Sequence, residues 1–197
     1  MSFDDFKALA GLTFRNPQAA ARWLMGQGWP ISARWMALLL TVVISALMAF
    51  FASAMSPSGG GDPRVVDLTR FPMVVAGMQL VAMVVAAGLM ASVGRMFGGQ
   101  GRFGDALLLV VWIEVLLLAV QAVQILLAFV MPAVAGLLGL AAIVLFLWLI
   151  VQFVKALHGF HSSAKVALVM VATMITAGFV LSFILAAFGL MPQVVMP

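Results

Sequence analysis

The sequence predicts an all-α fold: a polytopic membrane helix bundle of five transmembrane helices, entered through N-terminal cytoplasmic interfacial helices. Three observations predict it. Of the 197 residues, 65% are hydrophobic and only 8% charged, whereas a soluble domain carries about 25% charged residues. Five runs are long and apolar enough to cross a hydrocarbon core about 30 Å thick, which takes roughly 20 helical residues. These runs are continuously apolar and lack the period-2 alternation of a barrel strand. A water-soluble enzyme and a disordered chain are thereby excluded.

Residues 1–34 form the sizeable non-spanning segment. Phe3, Phe6, Ala10 and Phe14 recur at helical spacing, with Asp4, Asp5 and Lys7 off that stripe. Asn16-Pro17 reads as a helix start, with Asn as N-cap and Pro at the first helical position. The second short helix should run from Pro17 to about Met25 and stop near Gly26 or Gly28. Trp23, Trp29 and Trp35 suit a belt at headgroup level. The segment either presents a surface to a partner or shields the cytoplasmic mouth of the bundle.

Residues 35–197 form the five-helix transmembrane domain, with spans at about 35–54, 71–93, 105–130, 133–154 and 165–190. Ser56-Pro57-Ser58-Gly59-Gly60-Gly61-Asp62-Pro63 is a loop by its turn residues. Gly98-Gly99-Gln100-Gly101 parts spans two and three. Met131-Pro132 alone parts three and four, so these should form a tight antiparallel hairpin. His158 to Ser163 part four and five, with Ser162 or Ser163 as N-cap. Ala52-Ser53-Ala54 resembles a cleavage site, but about 35 residues precede its apolar run, which is longer than the h-region of a signal peptide.

Orientation follows from the basic residues. Lys7, Arg15, Arg22 and Arg34 precede span one; Arg95 and Arg102 flank loop two, and Lys155 and Lys165 flank loop four. With five spans these regions share a side and hold eight of the ten Lys and Arg. Arg64 and Arg70 lie on the other side. The N-terminus is therefore expected in the cytoplasm and the C-terminus outside. The basic pI of about 10.8 is a topology signal, not a nucleic-acid footprint, because ten cations are too few for a phosphate-tracking patch.

Polar groups within spans are costly and face other helices. Glu114 is the one acid deep in a span. Gln121 and Gln124 continue a polar stripe along span three, and Gln79 of span two should lie at a depth between Glu114 and Gln121. Gln152 and Lys155 sit one turn apart in span four; Thr41, Ser45, Thr173 and Thr176 add hydroxyls. The Glu114 cluster admits two readings, a proton or solute path and helix–helix hydrogen bonding in which a protonated Glu114 donates to Gln79, Gln121 or a carbonyl. Small residues are dense in span two, where Gly88 and Ser92 form a small-xxx-small pair that permits close helix approach, within the bundle or in a homo-oligomer.

Two patterns mimic chemistry. Gly99-Gln100-Gly101-Arg102-Phe103-Gly104 matches G-x-G-x-x-G, but the dinucleotide fingerprint requires a preceding strand. His158 and His161 have i, i+3 spacing but no neighbouring carboxylate, and are expected as a solvated, headgroup-facing pair rather than metal ligands. With no Cys and no assembled constellation, neither catalysis nor a cofactor is expected.

Thr13-Phe14-Arg15-Asn16-Pro17, followed by Ala20-Ala21-Arg22-Trp23-Leu24, resembles the entry segment of bacterial Yip-domain proteins. The run from Gly98 to Leu107 extends the resemblance, as do Gln124, Gly139, Trp148, Val151-Gln152-Phe153 and His158-Gly159-Phe160. The resemblance covers the whole chain. It implies a five-span protein of the bacterial inner membrane with a cytoplasmic N-terminus, acting in membrane organisation or scaffolding of a membrane complex. The family takes its name from interaction with Ypt/Rab-type GTPases. Eukaryotic members carry a longer cytoplasmic segment with an acidic-Leu-Tyr-Gly-Pro motif, and this chain has no Tyr, so GTPase binding does not carry over. The expected partners are the lipid bilayer and another membrane protein or a second copy. A small transporter or channel using the Glu114 stripe is the alternative.

Overall fold

The computed structural model describes residues 3–55 and 71–187. Residues 56–70, which include the expected Ser56–Pro63 loop, Arg64 and Arg70, and the end of the expected fifth span lie outside the described residues. Among the described residues seven helices follow in order: α1 Phe3–Arg15, α2 Pro17–Gly26, α3 Ile31–Met55, α4 Pro72–Met96, α5 Phe103–Val130, α6 Pro132–His158 and α7 Ser163–Ala187. Helices α3 to α7 are the five spanning elements, each long and apolar enough to cross a membrane. They start or end up to four residues beyond the expected apolar runs, because a helix continues past the hydrocarbon edge until a cap or turn residue stops it.

The boundaries have local causes. Asn16 Oδ1 accepts the Ala19 N–H at 3.0 Å and caps α2, with Pro17 at its first position. Prolines also occupy the starts of α4 and α6, where the missing N–H costs no helical bond. Ser162 Oγ accepts the Lys165 N–H at 3.3 Å and caps α7. Gly159 closes α6 in the left-handed region at φ 72°, and Phe160 N–H bonds Lys155 O at 3.0 Å.

Helix α5 is the axis of the bundle. Its first half is buried on every side, from Ala106 to Leu109 and again at Val111, Trp112, Ile113 and Leu116. A helix apolar all round is one that others enclose, and α2, α3, α4 and α6 all pack on α5. The hairpin of α5 and α6 turns within Met131, as the Met131-Pro132 break predicts. At Gly139 a Cβ would stand 2.9 Å from Gln124 Nε2, so the Gln124 amide lies over a position that has no side chain. On α4 the inward residues are Met83, Ala87, Ala91 and Gly94. The small pair used inside the bundle is thus Ala87 and Ala91, one position before Gly88 and Ser92; Ser92 is exposed. Outward residues such as Met73, Val81, Leu137, Val144, Leu168 and Phe179 are large, apolar and exposed. On a soluble protein they would be an aggregation surface; here they meet acyl chains.

Helix α7 packs principally on α6 and leaves a cleft towards α4. The short helices α1 and α2 fold back under the bundle, α2 against both α6 and α5. Leu9, Thr13, Ala20, Ala21 and Leu24 are buried there. The buried face of α1 therefore runs through Phe6, Leu9, Ala10 and Thr13, while Phe14 of the expected stripe points outward and is 52% exposed. Thr13 displaces it because its hydroxyl has partners: it donates to Leu9 O at 2.8 Å and accepts from the Trp112 indole N–H at 3.0 Å.

Candidate functional site

The buried polar groups fall into three separate clusters. The first lies mid-span, about 17 Å along α5 from Phe103 at 1.5 Å per residue. The Gln79 amide on α4 donates to Glu114 Oε1 at 2.6 Å. Ser45 on α3 also faces this carboxyl. Three helices thus meet on one acid, which receives the Gln79 bond rather than donating it. The expected stripe does not continue from here. Gln121 is half-buried and bonds neither Glu114 nor Gln124 among the described residues. Gln124 turns onto Gly139 of α6, away from α4. Gln152, the fifth member of the predicted cluster, lies at the other end of α6 and accepts from Gln18 Nε2 of α2 at 2.8 Å. The hydroxyls of Thr41, Thr173 and Thr176 bond carbonyls of their own helices.

The second cluster is a socket around His158. Gly101 N–H donates to Nδ1 at 3.1 Å. Nδ1 is therefore an acceptor, so Nε2 carries the proton and donates to Met90 O at 2.9 Å. The ring stacks on Phe160 with centroids 5.4 Å apart. A Cβ at Gly94, Gly99 or Gly101 would fall 2.1, 2.2 or 2.5 Å from ring atoms. Contrary to the solvated pair expected from spacing, His158 is 7% exposed, whereas His161 is exposed. Burial wins because two backbone groups, the Gly101 N–H in the turn and the Met90 carbonyl on α4, satisfy both ring nitrogens. The G-x-G-x-x-G pattern has the same origin. Gly99 and Gly101 make room for His158, and Gly104 for Arg34, whose Nη1 would lie 3.1 Å from a Cβ there. The sequence signal was a run of glycines at a helix end with no turn that needs so many.

The third cluster ties the N-terminal helices to the bundle. Trp112 reaches Thr13 through its indole N–H and meets Phe6 edge-on, with ring centroids 5.5 Å apart. Gln18 pairs with Gln152. Arg34 forks, its Nε donating to Trp29 O at 3.0 Å and its Nη1 to Asp105 Oδ1 at 2.7 Å. Lys155 Nζ donates to Ser163 Oγ at 2.8 Å. Arg15, Arg22, Arg95, Arg102 and Lys165 are exposed. By the alternation of the spans, all seven basic residues of the predicted set fall at this one end of the bundle. Phe14 and Trp23 are exposed on α1 and α2.

Five apolar spans and buried polar groups shared between them define a multi-pass α-helical membrane protein. The Yip1 domain family model matches residues 11–186, and the chain belongs to that family. The matched range takes in the Asn16-Pro17 cap, the His158 socket and all five spans. Among curated proteins and among solved structures, none matches the chain.

Proposed function

We propose that this chain is a non-enzymatic organiser of the bacterial inner membrane that holds another membrane protein through its N-terminal helices, with its N-terminus cytoplasmic. The observation that carries this reading is the docking of α1 and α2. Thr13–Trp112, Gln18–Gln152 and the Phe6–Trp112 contact join them to α5 and α6. An interfacial anchor held only by lipid would need none of these bonds. The docked pair keeps Phe14, Trp23, Arg15 and Arg22 exposed. Aromatic residues and Arg are the types enriched where partner proteins bind. The basic end supports a cytoplasmic placement by the positive-inside rule.

Affinity purification in mild detergent tests the proposal. A stoichiometric membrane partner is expected, lost on Phe14→Glu or Trp23→Glu while the protein stays monodisperse. Isolation of the chain alone, with a solute or proton flux in proteoliposomes that Glu114→Gln abolishes, would replace scaffolding by transport. The orientation is tested separately. The chain has no Cys, so single cysteines at Arg22 and Arg95 should be blocked by an impermeant thiol reagent only from the cytoplasmic side.

A further inference from the structure

A cleft of about 700 Å³ opens between α4, α6 and α7, within the range of about 300–1,000 Å³ typical of ligand pockets. Its walls are apolar, with Met90 and Val93 from α4, Ile150 and Val154 from α6, and Val169 and Met170 from α7. His161, Ser162 and Lys165 line it at the basic end of the bundle, and deeper in the polar side chain is Thr173, whose hydroxyl is taken up by Val169 O. Among the described residues, Lys165 is the one charged residue in the lining. It is exposed, and its side chain has no hydrogen-bond or acidic partner among the described residues. From Lys165 to Met174 the cleft follows α7 for nine residues, about 14 Å at 1.5 Å per residue. That is half of a hydrocarbon core about 30 Å thick, or one leaflet.

We infer that this cleft is a binding site for a single anionic phospholipid of the leaflet at the basic end, its phosphate on Lys165 and its acyl chains between α4 and α7. Depth, polarity gradient and charge agree on that occupant. The cleft has a cationic mouth at headgroup level and an apolar interior that ends near the midplane. A second copy of the chain or a foreign helix would find matching apolar walls, but would bring no anion to the mouth of necessity. Basic pockets between spanning helices are where anionic headgroups bind. No residue of α1 or α2 lines the site, so its occupancy does not depend on the scaffolding reading.

The test uses the full chain in mild-detergent micelles, with dioleoyl-phosphatidylglycerol and dioleoyl-phosphatidylcholine as probes that differ only in headgroup. Native mass spectrometry should show one lipid retained per chain, with phosphatidylglycerol preferred. Lys165→Ala should reduce that preference about fivefold, the effect of one cationic side chain near an anionic lipid surface. Lys165→Arg should keep it, and Arg102→Ala, at an exposed position that does not line the cleft, should leave it unchanged. Val169→Trp, which fills the interior, should reduce retention of both lipids. An unchanged preference in Lys165→Ala, or an equal loss in Arg102→Ala, overturns the assignment. So does efficient disulfide pairing of two Met174→Cys chains in lipid-saturated micelles, which would make a second copy the occupant.

Discussion

Replacing Gly94 by Ala should destabilise the protein, yet the same change should stabilise a variant that lacks His158. Gly94 lies in the last turns of α4, and a Cβ there would stand 2.1 Å from His158 Nε2. The imidazole cannot retreat without leaving Met90 O or Gly101 N–H, which it bonds at 2.9 and 3.1 Å. Forcing a methyl into a packed interior costs typically 1–3 kcal/mol. Losing one of the ring's bonds costs about 1 kcal/mol more. Against this, Ala gains up to about 1 kcal/mol over Gly in helix propensity. The net expectation in the native background is a loss of about 2 kcal/mol. With His158→Ala already in place, both penalties vanish and only the propensity gain remains. The two substitutions should therefore couple by about 3 kcal/mol, at the top of the range for residues in direct contact. The measurement is reversible unfolding in mixed micelles by titration with sodium dodecyl sulfate, followed by Trp fluorescence on the four members of the cycle. A coupling below about 0.5 kcal/mol, the additivity limit for independent sites, would refute the socket as the reason for Gly94.

Three further outcomes follow from the same contacts. Trp112→Phe retains the ring against Phe6 but removes the bond to Thr13; α1 should open about fivefold more often for a bond of about 1 kcal/mol, read as faster tryptic cleavage at the exposed Arg15. Arg34→Lys should lose about 1 kcal/mol of stability, because an ammonium does not reproduce the fork to Trp29 O and Asp105. Equal unfolding midpoints for Arg34→Lys and the native chain would count against that fork. Glu114→Gln retains an acceptor for Gln79 and should fall within about 0.6 kcal/mol of the native protein, the average for such bonds in membranes. Glu114→Leu strands the Gln79 amide in apolar surroundings, costing about 1–3 kcal/mol, so the two variants should separate in the same unfolding titration.

The elements readable from the sequence are those whose causes are local. The Asn16 cap lies within three residues of the N–H it accepts. The hairpin at Met131-Pro132 was legible because a proline next to two uninterrupted apolar runs leaves only one place to turn. The Glu114–Gln79 pair was legible by depth, since antiparallel spans of known length set which residues share a level. The continuation of that stripe was not. Gln121 and Gln124 lie two and nearly three turns past Glu114, but α5 is enclosed by different helices along its length, so the same face of one helix meets α4 at one level and α6 at another. His158 was misread for a related reason. Spacing to His161 describes one chain segment, whereas burial depends on Gly94, Gly99 and Gly101 arriving from another.

The sequence by itself determined that this chain has five runs long and apolar enough to cross a membrane, and which end of them gathers the basic residues. Those properties depend on the length of an apolar run and the need of every backbone N–H and C=O in lipid to bond within its own helix. The tertiary structure alone decided that α1 and α2 hang from Trp112 and Gln152, that three glycines enclose a histidine, and that α7 stands off α4 to leave a cleft one leaflet deep. In lipid, the apolar surface of a helix has no preferred direction, because acyl chains solvate it as well as another helix does. Which faces meet is then settled by close packing and a few polar bonds between residues far apart in the chain.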